Sequence, residues 1–243
     1  MSKVHHFLQS EWLKQKHSFN LILPWIAPLF SILLALMLMG GRYLQEGAYN
    51  WWYTMLLPSC CTLLSAFMVA KERKKNRHGL FGIVVQKDRL WLVQIVLCSL
   101  LLFASCMLFF VGVTLGGLLF EQTINIGASF FASVLLFVTF AWQIPLWMFA
   151  TEKIGIFASI LLSLLCNFGV AVVCAVKSIW WIPFSIPARL MCAVIGVLPN
   201  GLSAEAGSEI TNPAVILPGV LIAAALLLVL TVATTRWFRK QEA

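Results

Sequence analysis

Six long stretches without a charged side chain constrain this chain more than any other feature of its sequence. They cover 21–41, 47–70, 90–120, 127–150, 154–176 and 213–235. Each reaches or exceeds the range of about 17–25 apolar residues that a helix needs to cross the hydrocarbon core of a bilayer. Within lipid, the backbone groups of such a stretch must hydrogen-bond to one another. We therefore predict about six transmembrane helices.

Composition excludes a soluble globular domain. Hydrophobic residues make up 61% and charged residues 11% of the 243 residues, and the mean hydropathy is +0.93. Soluble domains carry about 45–50% apolar and about 25% charged residues. The predicted fold class is therefore an all-α integral membrane protein, with one domain over 1–243 rather than a soluble domain with an anchor.

Basic residues are distributed unevenly between the predicted loops. If the N-terminus lies inside the cell, 14 of the 17 lysines and arginines are on the inner side, and the other three are Arg42, Lys177 and Arg189. Such asymmetry sets the orientation of multi-pass proteins. We predict that both termini are cytoplasmic. The same topology explains the net charge of +8 without a nucleic-acid partner.

The segment before the first apolar stretch, 1–20, is predicted to form an amphipathic helix in the inner interface of the membrane. Its apolar residues Phe7, Leu8, Trp12 and Leu13 are compatible with one helical face, and Lys14 and Lys16 lie next to the bilayer, where anionic lipid attracts them. The alternative is a solvated tail.

The segment 178–212, between the last two apolar stretches, is predicted to be an extracellular re-entrant or interfacial element. Its apolar run, 190–198, is too short to cross a bilayer, and Trp180 and Trp181 suit the level of the lipid headgroups. A seventh span is the alternative, although it would place the C-terminus outside, against the charge distribution.

The sequence carries no signature of chemistry on this chain. The six stretches hold no Asp, Glu, Lys, Arg or His, which weighs against a proton-coupled carrier and against a membrane protease. The seven cysteines form no CxxC pair, so we interpret them as packing residues rather than metal ligands. No GxxxxGK[ST] motif occurs. We expect no catalytic residue, metal or bound cofactor, and a pump would need a separate ATPase.

The cytoplasmic connection 71–89 combines a basic cluster with a short apolar run. Exposed apolar side chains in a loop are costly unless they dock on a partner. We hypothesise a coupling helix that contacts a cytoplasmic ATPase through six residues, Arg77, His78, Leu80, Phe81, Ile83 and Val84. A basic anchor on anionic lipid is the alternative.

An aromatic cluster opens the second apolar stretch with Tyr49, Trp51, Trp52 and Tyr53. Such clusters are typical of the aromatic belt at the membrane surface. Contact with an amphiphilic substrate is a second interpretation, for these four residues and for Trp180 and Trp181.

Four segments resemble the lantibiotic-immunity ABC transporter permeases, the MutE/EpiE and MutG families of type-2 ABC exporter membrane subunits. They are SEWLKQKHSF, PWIAPLF, GGRYLQEGAYNWWYTMLLP and KERKKNRHG, all within the first ninety residues. The resemblance does not distinguish the two families.

This resemblance implies a permease that pairs with a second homologous permease subunit, as a heterodimer or a homodimer, and with an ABC ATPase dimer that holds ATP and Mg²⁺. It implies export of lantibiotic peptides from a bacterial plasma membrane, with 1–20 as the elbow helix and 71–89 as the coupling loop. Export of another amphiphile, such as a lipid or a bacitracin-like compound, and a non-transporting sensor or scaffold subunit remain the alternatives.

Overall fold

The computed structural model describes residues 12–13, 15–16, 18–74, 87–205 and 207–241. Within these ranges the α-helices are α1 Leu23–Met39, α2 Leu44–Trp51, α3 Leu57–Lys74, α4 Lys87–Leu119, α5 Ile126–Phe140, α6 Gln143–Ile154, α7 Ile156–Leu164, α8 Ala171–Ala175, α9 Ile186–Ile195 and α10 Ile216–Arg239. Two π-helical segments, Trp52–Leu56 and Leu165–Val170, join α2 to α3 and α7 to α8. An isolated antiparallel bridge joins Val197 and Ser203.

Five helical rods in the described part of the chain are long and apolar enough to cross a membrane. They are Leu44–Ala70, Lys87–Leu119, Ile126–Ile154, Ile156–Ala175 and Pro213–Arg239. The predicted all-helical fold is confirmed, and these rods suit a multi-pass membrane protein. The first predicted span, 21–41, corresponds to α1, which has only 17 residues. At 1.5 Å per residue α1 is about 26 Å long, slightly short of a hydrocarbon core of about 30 Å.

The distribution of side chains is that of a protein dissolved in lipid. Large apolar side chains such as Met37, Phe157 and Leu228 lie exposed on the outside of the bundle. Hydroxyl and amide side chains are buried inside it, including those of Ser31, Thr62, Ser65, Gln94, Ser105 and Ser133. Bundles in membranes pack through small residues and interhelical hydrogen bonds, because apolar surface gains little by leaving lipid tails.

The boundaries of the predicted spans differ from those in the structure by up to four residues, and the differences in the second and the fourth span have consequences. The second begins at Leu44 rather than at residue 47, so it includes Glu46. The predicted stretches contain no ionisable residue, but the longer helices of the structure do, among them Glu46 here and Arg236 and Arg239 at the end of α10. The fourth is divided by a turn at Ala141–Trp142 and ends at Ile154. Pro145 lies just beyond that turn, in the first turn of α6, where its missing N–H leaves no helical hydrogen bond unmade.

The segment 178–212 contains α9, whose ten residues extend about 15 Å. This length is half of a bilayer core, which favours the re-entrant or interfacial interpretation over a seventh span. The helix packs closely on α5 and on α10. A Cβ added to Gly219 of α10 would lie 2.8 Å from Leu190 Cδ1 and 3.0 Å from Ile186 Cγ2. Glycine therefore permits this close contact between α9 and α10.

Candidate functional site

A pair of buried amides lies between α6 and the π-helical segment Leu165–Val170. Gln143 Nε2 donates to Asn167 Oδ1 at 2.9 Å, and Asn167 Nδ2 donates to Gln143 Oε1 at 3.0 Å. Trp147 Nε1 also donates to Gln143 Oε1, at 3.0 Å. In a low-dielectric interior an unpaired amide is expensive, so this reciprocal arrangement holds the two helices in one register.

The same hydrogen-bond network extends to α3. Asn167 Nδ2 donates to Ser163 O at 3.0 Å, and Thr62 Oγ1 donates to Ser163 Oγ at 2.6 Å. We call the five residues Thr62, Gln143, Trp147, Ser163 and Asn167 the amide cluster. It joins three of the membrane-length rods through side chains that are neutral and buried. These groups can hold helices or exchange hydrogen bonds between helices, but they offer no base to activate a nucleophile.

The π-helical geometry explains how Asn167 reaches this position. A π-helical turn contains an additional residue and changes which side chains face inward, and such turns occur frequently at functional sites. Here Asn167 is buried, while Leu165 and Phe168 on the same segment are exposed. The other π-helical segment, Trp52–Leu56, contacts this one. Irregular backbone is thus concentrated next to the amide cluster.

Three residues of the predicted aromatic belt lie inside the bundle instead. The Tyr49 hydroxyl donates to Ser129 O at 2.8 Å, and the Tyr53 hydroxyl donates to Val197 O at 3.2 Å. Trp52 stacks on Phe109 with ring centroids 4.8 Å apart. The belt interpretation is wrong for these three residues, because α4, α5 and the turn near Val197 supply the partners that the water interface would otherwise provide.

The remaining candidates for substrate contact are accessible from outside the chain. Trp51 and Trp180 are half-buried, and 57% of Trp181 is exposed. The structure does not bring Trp51 together with the buried Tyr49 and Tyr53 in one open site. Contact of any of the six aromatic residues with a substrate stays a prediction.

Gln45 fastens the connection between α4 and α5 to α2. Its Oε1 accepts from Thr123 N and Ile124 N, both at 2.8 Å, and its Nε2 donates to Val113 O at 3.3 Å. The side chain fits because residue 117, which faces it from α4, is glycine. A Cβ at Gly117 would overlap the Gln45 amide.

We expect Gly117→Ala to lower the free energy of unfolding by about 1–2 kcal/mol, because overpacking displaces Gln45 from its three backbone partners. The matched control is Gly169→Ala, where a Cβ would meet nothing within 4 Å. Alanine there is neutral or stabilising by up to about 1 kcal/mol through helix propensity. Thermal unfolding in detergent compares the two variants, and equal melting temperatures would contradict the role of Gln45.

At the opposite end of the bundle, Trp91 joins the start of α4 to the end of α10. Its ring stacks on Phe238 with centroids 4.5 Å apart, and its Nε1 donates to Thr234 Oγ1 at 3.1 Å. Trp237 packs edge-on against Phe149, and its ring centroid lies 5.0 Å from Lys153 Nζ. We call Trp91, Thr234, Trp237 and Phe238 the Trp91 cluster.

The predicted coupling residues lie outside the described part of the chain. They are Arg77, His78, Leu80, Phe81, Ile83 and Val84, within 75–86. Most of the predicted elbow helix, 1–20, lies outside it as well. The structure describes only the two ends of the 71–89 connection, which are the last turn of α3 and the first turn of α4.

All seven cysteines are free, and six of them are buried inside the bundle, which suits packing residues. Burial raises the pKa of the Cys192 thiol, on α9, to about 11, so this thiol stays protonated at neutral pH and is a poor nucleophile. In the described ranges, no group of three His, Cys, Asp or Glu side chains is placed to hold a metal ion.

Reasoning from the sequence missed the amide cluster because it searched the apolar stretches for ionisable residues alone. A signal was present, since Gln143 and Asn167 each interrupt a long apolar stretch. An amide within a membrane span normally needs a partner on another helix. The pairing of these two residues was therefore predictable from the sequence. The turn at Ala141–Trp142 and the π-helical segment, which align the two side chains, were not predictable in this way.

Comparison of the sequence with family models finds no match, and comparisons with curated proteins and with solved structures find none either.

Proposed function

We propose that this chain is the permease subunit of an ABC exporter that removes lantibiotic-type antimicrobial peptides from a bacterial plasma membrane and so gives immunity or resistance. In this proposal α1 also crosses the membrane and brings the number of spans to six. Both termini are cytoplasmic, and 178–212 is re-entrant from the outer side. The partners are an ABC ATPase dimer, which holds ATP and Mg²⁺, and a second homologous permease subunit.

The observation that carries the proposal is the Trp91 cluster. The connection 71–89 runs directly into α4, and Trp91 lies in the second turn of that helix. Through its stacking on Phe238 and its hydrogen bond to Thr234, a displacement of the connection is transmitted to α10 as well as to α4. A permease that is driven by a separate ATPase requires such a mechanical link between its coupling loop and its helices.

The outer surface of the bundle supports a subunit that works within a larger assembly. The rods Ile156–Ala175 and Pro213–Arg239 are largely uncovered by the rest of the described chain. Apart from Arg236 and Arg239 at the end of α10, their exposed side chains are apolar, including Phe157, Leu161 and Leu221. Both lipid and a second permease subunit fit these faces.

Export is tested by expressing the chain with candidate ATPase and second permease subunits in cells that are sensitive to a lantibiotic such as nisin. We expect ATP-dependent loss of cell-bound peptide only when all subunits are present, and none with an ATPase whose P-loop lysine is replaced. Loss of a lipid probe or of bacitracin instead would favour the other-amphiphile alternative. Complete lack of transport by an assembled complex would favour a sensor or scaffold.

Docking of the ATPase is tested at the two apolar coupling candidates. We expect Phe81→Asp and Ile83→Asp each to lower ATPase co-purification about tenfold or more, because a docked apolar side chain would become a buried charge. Lys74→Gln with Lys75→Gln is the matched test of the lipid-anchor alternative, since it weakens attraction to anionic lipid. Unchanged co-purification with both aspartate variants would count against a coupling helix.

A further inference from the structure

Glu46 is a buried residue, and one of its two carboxylate oxygens has no hydrogen-bond donor in the described part of the chain. It is the third residue of α2 and 8% of it is exposed. Its Oε2 atom is enclosed and has no hydrogen-bond donor within the described ranges. A carboxylate in such surroundings is costly unless a positive charge or a set of donors compensates it. A cation or a hydrogen-bond donor from outside the described chain would therefore be a favourable partner for this oxygen.

Neighbouring groups that would compensate this charge are engaged elsewhere. Arg42, one turn earlier, is largely exposed and lies 3.6 Å from Glu121 Oε2. The backbone N–H groups of Thr123 and Ile124 are taken by the adjacent Gln45.

Neutral oxygen atoms surround the same face of α2. Asn50 lies one turn after Glu46, at a spacing that places Cβ atoms about 5–6 Å apart. Asn50 Nδ2 donates to Leu198 O at 3.2 Å and to Pro199 O at 2.9 Å, which leaves its own Oδ1 as an acceptor. Tyr53, two turns after Glu46, donates to Val197 O. Helical spacing thus places Glu46 on the face of α2 that is directed toward the turn 197–201. Leu198 O already accepts from both Asn50 Nδ2 and Gly201 N, whereas Val197 O and Pro199 O each accept one side-chain hydrogen bond and keep a second lone pair.

We propose that Glu46 is the anionic ligand of a monovalent cation site, completed by Asn50 Oδ1 and by carbonyl oxygens of the turn 197–201. Carboxylate, amide and carbonyl oxygens are the ligands of hard cations, and interrupted helices in membrane proteins bind Na⁺ through such carbonyl groups. A single carboxylate balances one positive charge.

The site has a structural consequence for the chain. A cation held between Glu46 and the turn 197–201 joins α2 to the segment 178–212, next to the two hydrogen bonds of Asn50. Occupancy by the cation is therefore expected to stabilise the folded protein by mass action. This inference does not rest on the proposed export function, because it concerns binding and stability of the chain by itself.

The experiment is thermal unfolding of the purified full-length protein in detergent, with NaCl compared with choline chloride at equal ionic strength. We expect a saturable rise of the melting temperature with Na⁺ in the wild type. Glu46→Gln should abolish the cation-specific part of this rise, and Asn50→Ala should require about tenfold more Na⁺, since it removes one ligand. Glu121→Gln is the matched control, because it removes an exposed carboxylate from the same end of the bundle.

The outcomes separate the cation from its competitors. Equal Na⁺ responses in the wild type and in Glu46→Gln would overturn the proposal. A wild-type melting temperature that depends on pH but not on Na⁺ would overturn it as well, and would assign the balancing charge to a proton. If Glu46→Gln does not fold, a saturable change in wild-type tryptophan fluorescence on Na⁺ titration, shifted in Asn50→Ala, supports the site, and its absence contradicts it.

Discussion

Replacing Asn167 by leucine is expected to destabilise the protein by about 1–3 kcal/mol, because the fully buried Gln143 amide would lose both of its hydrogen bonds to Asn167. The leucine would add apolar volume but could not satisfy Gln143. Chemical unfolding in mixed detergent–lipid micelles, followed by helical circular dichroism, measures the loss. Phe168→Leu is the matched control, since Phe168 is the next residue on the same π-helical segment and is exposed.

The double variant with Gln143→Leu distinguishes a true pair from two independent packing effects. We expect the two substitutions together to cost less than the sum of the single ones, with a coupling of about 0.6–1.7 kcal/mol, which spans the average to the maximum for interhelical hydrogen bonds in a membrane protein. Trp147 still loses its acceptor when Gln143 is replaced, so the double variant does not regain wild-type stability. Simple additivity would contradict the reciprocal bonding.

The second large effect is expected at Trp52. Trp52→Ala would remove a fully buried indole that stacks on Phe109, and cavities of this kind cost about 3–5 kcal/mol in protein cores. The destabilisation would come mainly from lost dispersion contacts and packing, because an apolar side chain gains little free energy by moving from lipid into the bundle.

Trp51 provides the control for that experiment. It directly precedes Trp52 and is only half-buried. Its replacement by alanine should lower the free energy of unfolding by no more than about 1 kcal/mol. The two variants are compared by thermal unfolding under identical conditions. Equal losses at both positions would restore the belt interpretation for Trp52.

The sequence predicted the five long rods to within a few residues, because charge and apolar length decide what can cross a membrane. The start of α2 was not predictable in this way. Gln45 and Glu46 look like a loop by composition, but Gln45 is held by backbone groups of the α4–α5 connection, which lies about 80 residues later. The tertiary contact extends the helix beyond what local composition indicates.

The sequence indicated which aromatic and coupling residues to consider, but not whether their side chains face protein or lipid. In a soluble helix, apolar periodicity shows which face is buried, but a membrane span is apolar on every side. Whether Tyr49 faced lipid or protein depended on an acceptor, Ser129, contributed by another helix. The coupling candidates within 75–86 stay predictions for the same reason, since their partner is expected to be a different chain.

The long-range partners of α2 have a consequence for the biogenesis of this protein. Asn50 donates to a carbonyl group 148 residues later in the chain, and Tyr53 to one 144 residues later. At synthesis rates of about 5–20 residues per second, that interval lasts roughly 7–30 seconds. During this interval Asn50 and Tyr53 lack their hydrogen-bond acceptors while the rest of the chain is synthesised and inserted. Folding is complete only when the segment 178–212 packs against them. Substitutions in the turn 197–201 would therefore appear first as lost yield and faster proteolysis of newly made chains.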